Sequence, residues 1–306
     1  LSYTKKISLE NNSKLYFVYL PEISRYKNED YQNNLYIEIK SVVEELGIPF
    51  IDIDKKVFEK EDDPLKLFPF KVFPHYTIEG YDKISKSIFK DKFIIGTGLN
   101  SLQDTISLIK ISNLYNFNNF LIMPPAYYMY EDKDVIRFYI KLIEKLSNCK
   151  IILYNFEKLS GYKFSKESVE KLASLFPENI IGVKDSSYNL FEHLKLKNFS
   201  ILPGSELKLL KGLEIGCSGI ITATCNVTAS LSRKVYDDYI NKKNQTHNNK
   251  LCNVRLAFDR YNLISGLHTY LSKKDKSFQN LLPPLSLLKE NDKKKLLEEL
   301  KKLDFN

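Results

Sequence analysis

From Phe93 onward, short apolar runs alternate with longer segments whose apolar residues recur at helical spacing. The apolar runs have the length of β-strands. We predict strands at residues 93–98, 120–125, 150–155, 180–185, 199–204 and 219–224. The intervening segments predict helices at residues 101–116, 132–147, 165–176, 189–196, 207–216 and 228–240. Strands that alternate with helices pair in parallel, so residues 91–306 predict an α/β fold with several βα units.

Residues 1–90 contain two further βα units. An apolar run at residues 14–21 precedes a helical pattern at 31–46, and a second run at 49–54 precedes a helical pattern at 77–89. Together with the six later units they would make the eight of a (β/α)8 TIM barrel. We therefore expect a TIM-barrel type fold in which residues 1–90 either complete the barrel or form a piece of a different domain. The join falls near residues 88–93.

The length and composition of the chain fit a globular protein of one large domain or two medium ones. The sequence has 306 residues, of which 43% are hydrophobic and 27% charged. It contains no apolar run near the ~18 residues that span a bilayer, so we expect no membrane partner. It begins at Leu1 with no signal-like segment, and we expect it to continue upstream. Residues 289–303 predict a terminal amphipathic helix whose leucines share one face.

Charge and cysteine content narrow the classes of partner. The net charge is +8, but the lysines are scattered among acidic and amide residues, so we expect no nucleic-acid partner. The four cysteines form no CxxC pair, and the four histidines have no zinc-ligand spacing. We expect a protein of the reducing cytoplasm with no metal site.

Lys184 is the first candidate for chemistry. It lies near the end of the apolar run 180–185, where a barrel strand delivers its side chains to the active-site face. Burial disfavours the ammonium form, and a neutral amine can attack a ketone. Alternatively, Lys184 reaches solvent or pairs with Asp185. Tyr154 ends the preceding strand and would lie beside Lys184, where a phenol can transfer protons. It could equally close the barrel top with its hydroxyl in water.

Several motifs taken together resemble one known family. They are GTGLN (96–100), PPAYY (124–128), LYNFEKLSG (153–161), NIIGVKDSS (179–187), PGSE (203–206), GIITATCNV (219–227) and LPPL (282–285). In this order they resemble the dihydrodipicolinate synthase / N-acetylneuraminate lyase family over about residues 91–306. The resemblance implies a class I lyase or aldolase that binds pyruvate or another 2-oxo acid as a covalent imine with Lys184, without a separate cofactor. It also implies a homo-oligomer, a dimer or a tetramer.

The resemblance assigns roles residue by residue. Lys184 matches the imine-forming lysine and Tyr154 the catalytic tyrosine. Tyr127 matches a tyrosine that members often lend across a subunit interface, although it could be an ordinary packed aromatic. Ile221 and Gly204 match positions that line the pyruvyl pocket through their backbone. Asn226 ends the last predicted strand, where a turn or capping role is equally open.

Some positions depart from the family pattern. Synthase members carry an arginine five residues after the catalytic tyrosine, where this chain has Leu159. Glu206 matches one member of the acidic pair that binds the sialic-acid tail, but Leu207 replaces the other. The aldehyde half of the substrate is therefore open. The Gly-Thr-Thr-Gly-Glu loop that binds the substrate carboxylate is absent from residues 1–90, which makes a catalytically impaired fusion a further alternative.

Residues 14–90 resemble a second family, the C-terminal part of an SGNH-type esterase or acyltransferase. The resemblance rests on VYLPEISRY (18–26), ELGIPFIDID (45–54), DDPLKLFP (62–69) and HYTIEGYDKIS (75–85). It implies His75 as general base with Asp62 or Asp63 nearby, although His75 could simply cap the following helix. The nucleophilic serine block would lie upstream of Leu1, and the nearby alternatives are Ser13, Ser24 and Ser85. We therefore expect no esterase activity from this piece alone.

Overall fold

The computed structural model describes residues 1–10, 15–28, 31–89, 93–115, 117–146 and 149–305. The chain divides into two compact units, Leu1–Phe93 and Ile94–Asn306. Each unit has its own parallel sheet and its own apolar core.

The first unit contains a two-stranded parallel sheet and short helices. The strands are β1 (Phe17–Tyr19) and β2 (Phe50–Asp52), and Phe17 lies opposite Phe50 in the register. The helices are α1 (Ser2–Glu10), α2 (Ser24–Lys27), α3 (Asn34–Glu45), α4 (Ile53–Lys56) and α5 (Ile78–Phe89). Both βα units predicted for this segment are confirmed as local structure. Whether they complete the barrel stays a prediction, and so does the SGNH-type resemblance.

Two carboxylates at the end of β2 have partners inside the first unit. Asp54 is 2% exposed, lies 2.5 Å from Arg25 and accepts a hydrogen bond from the Tyr26 hydroxyl. Asp52 accepts a hydrogen bond of 2.6 Å from the Tyr36 hydroxyl. A buried carboxylate needs such partners because desolvation penalises its charge. Both groups therefore stabilise the local fold.

The second unit is built on a five-stranded parallel sheet in the order β3-β4-β5-β6-β7. The strands are β3 (Ile95–Gly96), β4 (Asn119–Ile122), β5 (Lys150–Asn155), β6 (Ile180–Asp185) and β7 (Ser200–Pro203). The connecting helices are α6 (Leu102–Leu114), α7 (Asp132–Glu144), α8 (Glu157–Ser160), α9 (Lys166–Leu175) and α10 (Leu209–Glu214). The strand order follows the chain order, as it does in a barrel-type βα fold.

One apolar core joins this sheet to its helices. Phe120, Ile151 and Val183 on the strands are fully buried, and Tyr139 and Leu172 from the helices pack in the same cluster. Tyr139 is also fully buried, and its hydroxyl donates a 2.8 Å hydrogen bond to the Ile122 carbonyl oxygen. Buried apolar area of this kind is the main stabilising contribution to the fold and holds the strand ends in place.

Two predicted elements of the second unit are wrong. The predicted helix 189–196 is a series of turns, because the Asp185 carboxylate accepts the backbone N–H groups of Leu190 and Phe191. Residues 219–224, all of which are described, form no strand. This segment begins at Gly219, whose φ is +145°, and follows β7 through two hydrogen bonds, Ser218 N–H to Ile201 and Ile221 N–H to Pro203.

The C-terminal helices form a further layer. They are α11 (Cys225–Ile240), α12 (Asn248–Asp259), α13 (Leu263–Leu271) and α14 (Glu290–Lys302). The predicted terminal amphipathic helix is confirmed, since Leu296 and Leu300 are buried against Phe258 and Tyr270. Among the described residues, every helix is too short or too polar to cross a bilayer.

Candidate active site

Lys184 and Tyr154 lie side by side at the carboxyl ends of β6 and β5. The two strands pair in parallel, with Tyr154 opposite Lys184 and Asn155 opposite Asp185. Side chains alternate between the faces of a strand, so each of these pairs shares one face. The Lys184 Nζ atom lies 3.9 Å from the centroid of the Tyr154 ring. The structure therefore places Tyr154 beside Lys184, as the sequence predicts.

The Lys184 amine is largely desolvated and has no described counter-ion. Burial lowers the pKa of Lys184 from its ordinary value of 10.5 to about 8. Among the described residues, no carboxylate lies within ion-pair distance of it, and Asp185 has other partners. The aromatic face of Tyr154 is the nearest favourable contact for the charged form. A considerable fraction of this amine is therefore neutral near physiological pH.

Asp185 organises the loop that follows β6. It is fully buried and accepts hydrogen bonds from the Asn155 side chain and from the backbone N–H groups of Tyr188, Leu190 and Phe191, at 2.8–2.9 Å. These bonds hold Tyr188 with a φ of +59°, a conformation that side chains rarely adopt. Such strain persists only where the surroundings enforce it. Asp185 is thus a positioning residue for the loop beside Lys184.

Tyr154 has the surroundings of a proton-transfer group. Burial raises the pKa of Tyr154, and a hydrogen bond with the Ser186 side chain opposes that rise. Its ring stacks on Phe156 at a centroid distance of 6.0 Å. The phenol is therefore protonated at neutral pH and hydrogen-bonded to a hydroxyl group. The alternative in which Tyr154 merely closes the barrel top in open water does not fit this burial.

The two residues open into a cavity of about 380 Å³. Its walls come from the ends of β5, β6 and β7 and from the C-terminal helices. The lining residues are Tyr154, Phe156, Glu157, Lys158, Lys184, Ser186, Ser187, Tyr188, Gly204, Thr222, Ala223, Arg255 and Leu263. A cavity of this size and polarity is typical of small-molecule sites.

Gly204 lines the cavity, and a larger side chain at this position would collide with Ser186. A Cβ atom at this position would lie 2.2 Å from the Ser186 Oγ atom and 2.9 Å from its Cβ atom. Contacts that short force neighbouring atoms to move. The missing side chain therefore allows β7 to approach the loop that carries Ser186 and keeps the cavity open.

Three residues assigned to substrate binding lie away from the cavity wall. Ile221 is beside it, but Thr222 and Ala223 supply the surface. Leu159 is 55% exposed on α8 and does not line the cavity. Glu206 is fully buried, and its oxygens accept hydrogen bonds from Thr222, Thr228 and Arg255. The prediction that Glu206 faces the substrate directly does not agree with this geometry, because its carboxylate is already occupied.

Tyr127 is not brought to Lys184 within one chain. It is 88% exposed, has a φ of +90° and packs edge-on against Tyr128 at 5.0 Å. Within one chain Tyr127 is therefore not part of an apolar core, and its role across a subunit interface stays a prediction. Asn226 is exposed and donates a 2.8 Å hydrogen bond to the Ala223 carbonyl oxygen, which favours its local capping role.

The residues of the alternative hydrolase site are not assembled. His75 and Asp62 are exposed, and neither contacts the other within hydrogen-bonding distance among the described residues. Asp63 accepts hydrogen bonds from the Leu65 backbone and, at 2.5 Å, from Lys71. Ser13 lies outside the described residues, as does the side chain of Ser85. Ser24 begins α2.

Comparison with known proteins identifies the second unit. A profile described as "Dihydrodipicolinate synthetase family" matches residues 83–303. The chain belongs to this family. The match includes the cavity described above and all five strands of the larger sheet.

Relatives within the family have several names. The chain is 27% identical over 233 residues to a 2-dehydro-3-deoxy-D-gluconate/2-dehydro-3-deoxy-phosphogluconate aldolase of Picrophilus torridus, covering 72% of this chain and 86% of the relative. It is 31% identical over 189 residues to a 4-hydroxy-tetrahydrodipicolinate synthase of Wigglesworthia glossinidia brevipalpis, covering 57% and 62%. The chain thus spans less than two thirds of that synthase.

Solved structures of the family share the fold. A dihydrodipicolinate synthase from Cyanidioschyzon merolae matches with a TM-score of 0.66 at 17% identity, over 74% of this chain and 80% of the other. One from Thermotoga maritima matches with a TM-score of 0.64 at 19% identity, over 91% and 95%. The predicted α/β fold of TIM-barrel type is confirmed.

Arg255 also lines the cavity, and the sequence pattern did not predict it. It lies on α12, and its side chain is only 11% exposed. Its Nη1 atom donates to Glu206 at 3.0 Å and to Thr222 at 2.8 Å, and its Nε atom donates to Asp259 at 2.8 Å. An arginine in a polar C-terminal helix usually faces solvent, so sequence alone gave no reason to select it.

Proposed function

We propose that this chain acts as a class I lyase or aldolase, in which Lys184 forms an imine with pyruvate or another 2-oxo acid. The observation that carries the proposal is the lowered pKa of the Lys184 amine, to about 8, in a cavity beside Tyr154. The aldolase and synthase names of the relatives support a reaction that makes or breaks a carbon–carbon bond.

The first step is addition of the amine to the ketone. The neutral Lys184 nitrogen forms a bond to the keto carbon, and the carbonyl π electrons move to oxygen, which takes a proton. The nitrogen then gives up one of its two protons, the hydroxyl group takes a proton and leaves as water, and a protonated C=N bond replaces the C=O bond. The protonated imine withdraws electrons from the adjacent carbon, and the bond beyond that carbon can break or form.

Tyr154 serves as the proton donor and acceptor in these steps. Its protonated phenol lies beside the amine and can protonate the departing oxygen. The hydrogen bond with Ser186 stabilises the phenolate that forms when that proton is given up. No separate cofactor is needed, because the substrate is held as an imine.

Tyr127 would reach this site only from a second copy of the chain. It is exposed in a strained loop next to the exposed side chains of Tyr128 and Met129. Exposed aromatic residues with a positive φ favour a contact that is completed on assembly. We propose a homo-oligomer in which this loop contributes Tyr127 to the proton transfers.

Reductive trapping tests the proposal directly. Borohydride added with pyruvate should leave one reduced pyruvyl group on Lys184, detected by peptide mass mapping. The Lys184→Met variant should lose the adduct, whereas the exposed α9 lysine variant Lys166→Met should keep it. Absence of an adduct on Lys184 in the unaltered protein would exclude the proposed chemistry.

A further inference from the structure

We propose that Arg255 binds a hydroxyl group on the uncharged half of the substrate and disfavours substrates that carry a second anionic group. This inference rests on the proposed function, since it concerns the part of the 2-oxo acid beyond the imine carbon. It makes Arg255 a specificity-determining residue. The substrate class it implies is a polyhydroxylated 2-oxo acid without a phosphate or second carboxylate.

The guanidinium is held in one orientation by partners behind the cavity wall. The Nη1 atom donates to Glu206, Thr222 and Thr224, at distances of 3.0, 2.8 and 3.2 Å. The Nε atom donates to Asp259 at 2.8 Å. Because the guanidinium is planar, these contacts fix the direction of its remaining nitrogen.

The remaining nitrogen is available to a ligand. Among the described residues, the Nη2 atom of Arg255 has no hydrogen-bond acceptor, although Arg255 lines the cavity that contains Lys184. Because this Nη2 atom is not fully buried, a water molecule can reach it. A fixed donor open to the cavity can bind an oxygen atom of the substrate at little entropic cost.

The charges around Arg255 select a neutral oxygen. The Arg255 guanidinium forms ion pairs with two carboxylates. The Glu206 carboxylate is fully buried, and the Asp259 carboxylate is 35% exposed. The positive charge is therefore already compensated, and this local group has a net negative charge. A phosphate or carboxylate brought to Nη2 would be repelled by it, whereas a hydroxyl oxygen accepts the hydrogen bond without that cost.

The rest of the cavity agrees with this selection. Glu157 and Lys158 line it together and have opposite charges. Leu159, on the same short helix, lies outside the lining and adds no charge to it. The volume of about 380 Å³ leaves room beyond a three-carbon pyruvyl group.

Equilibrium binding separates this inference from the imine chemistry. The probes are 2-dehydro-3-deoxy-D-gluconate and its 6-phosphate, with binding measured by calorimetry, and pyruvate, with adduct formation on Lys184 measured by borohydride trapping. The unaltered protein should bind the unphosphorylated acid more tightly than the phosphate. Arg255→Lys keeps the charge opposite Glu206 but lacks the second terminal nitrogen, and should bind the unphosphorylated acid about tenfold more weakly.

Two further variants control for structural damage. Arg260→Lys makes the same change at an exposed arginine on the C-terminal side of α12 and should bind both acids as the unaltered protein does. Asp259→Asn removes one of the two carboxylates and should improve binding of the phosphate relative to the unphosphorylated acid. If Arg255 only stabilised the fold, Asp259→Asn would not change the preference between the two acids.

The outcomes are distinct for the two proposals. If the unaltered protein forms no pyruvate adduct but shows the expected binding preferences, the proposed imine chemistry is rejected. Arg255 then remains a ligand-binding residue. Equal binding of the unphosphorylated acid by Arg255→Lys and the unaltered protein would overturn the inference. Tighter binding of the phosphate by the unaltered protein would overturn it as well.

Discussion

The Lys184 amine lies 3.9 Å from the centre of the Tyr154 ring, on neighbouring strands in direct register. This pairing places a weakly basic amine beside a protonated phenol. It makes the pH dependence of the amine measurable, because titration and reaction involve the same nitrogen atom.

Adduct formation should depend on pH through the Lys184 amine. Its pKa of about 8 means that the neutral, reactive form increases as the pH rises toward that value and is the major form above it. The initial rate of reductive trapping with pyruvate should therefore rise with pH and level off above about 8. A rate that keeps rising toward pH 10.5, the ordinary pKa of lysine, would contradict the assigned burial.

Replacing Lys184 should stabilise the fold. Its folded-state pKa, about 8, lies below the ordinary 10.5, so the folded chain binds fewer protons than the unfolded chain between these values. The energetic cost is complete below pH 8 and disappears as the pH rises toward 10.5. Lys184→Met should increase the free energy of unfolding at pH 7 by on the order of 1–3 kcal/mol.

Chemical denaturation at several pH values measures this effect. The difference between Lys184→Met and the unaltered protein should shrink at alkaline pH. The matched variant Lys166→Met removes an exposed lysine that lies 3.7 Å from Glu170 and should show little change at any pH. A destabilised Lys184→Met at pH 7 would show that the native site favours the ammonium form.

Removing the Tyr154 hydroxyl should slow the reaction and leave the fold intact. Tyr154→Phe keeps the ring that contacts Lys184 but cannot transfer a proton, so trapping should slow by about 10²-fold. Tyr115→Phe, at a tyrosine that is 65% exposed, is the matched control. Equal trapping rates for Tyr154→Phe and the control would remove Tyr154 from the mechanism.

A methyl group at position 204 should disturb the cavity. Gly204→Ala brings a Cβ atom within 2.2 Å of Ser186 Oγ, and the required shift should cost about 1–3 kcal/mol of unfolding free energy. Gly96→Ala is the matched control, since a Cβ there has nothing within 4 Å. Adding Ser186→Gly to Gly204→Ala should restore part of the lost stability. Failure of this second change to help would place the conflict elsewhere.

The Asp185 carboxylate should be sensitive to a nearly isosteric change. Asp185→Asn presents an NH₂ group to donors that now meet a carboxylate oxygen, and should reduce the free energy of unfolding by about 2–4 kcal/mol. Hydrogen exchange should show faster exchange at the Tyr188, Leu190 and Phe191 amides. Unchanged protection of these amides would mean that the loop does not depend on Asp185.

The positions of Lys184 and Tyr154 could be predicted from the sequence because both the residue types and the strand pattern pointed to the same site. Lys184 and Tyr154 end neighbouring apolar strands, and in a parallel sheet such positions must meet. The helix predicted at residues 189–196 failed for the opposite reason. Its spacing is helical, but the Asp185 carboxylate, only five and six residues earlier, accepts the N–H groups of Leu190 and Phe191, and the apolar periodicity does not reveal that local competition.

Arg255 shows why part of the site could not be predicted. It contacts Glu206 across 49 positions of sequence, through a helix that folds back over the strand ends. Residue type and spacing at position 255 are those of an ordinary polar helix surface. The packing of α12 against the segment that contains Glu206 supplies the information, and it becomes visible only in three dimensions.

The desolvated amine also has a consequence for covalent labelling. Most of the described lysines are exposed, whereas burial keeps a fraction of the Lys184 amine unprotonated. A small amine-directed acylating reagent used in limiting amount should therefore modify Lys184 ahead of its more numerous exposed neighbours. Selective tagging of one lysine would report the state of this cavity in a cell extract, without knowledge of the substrate.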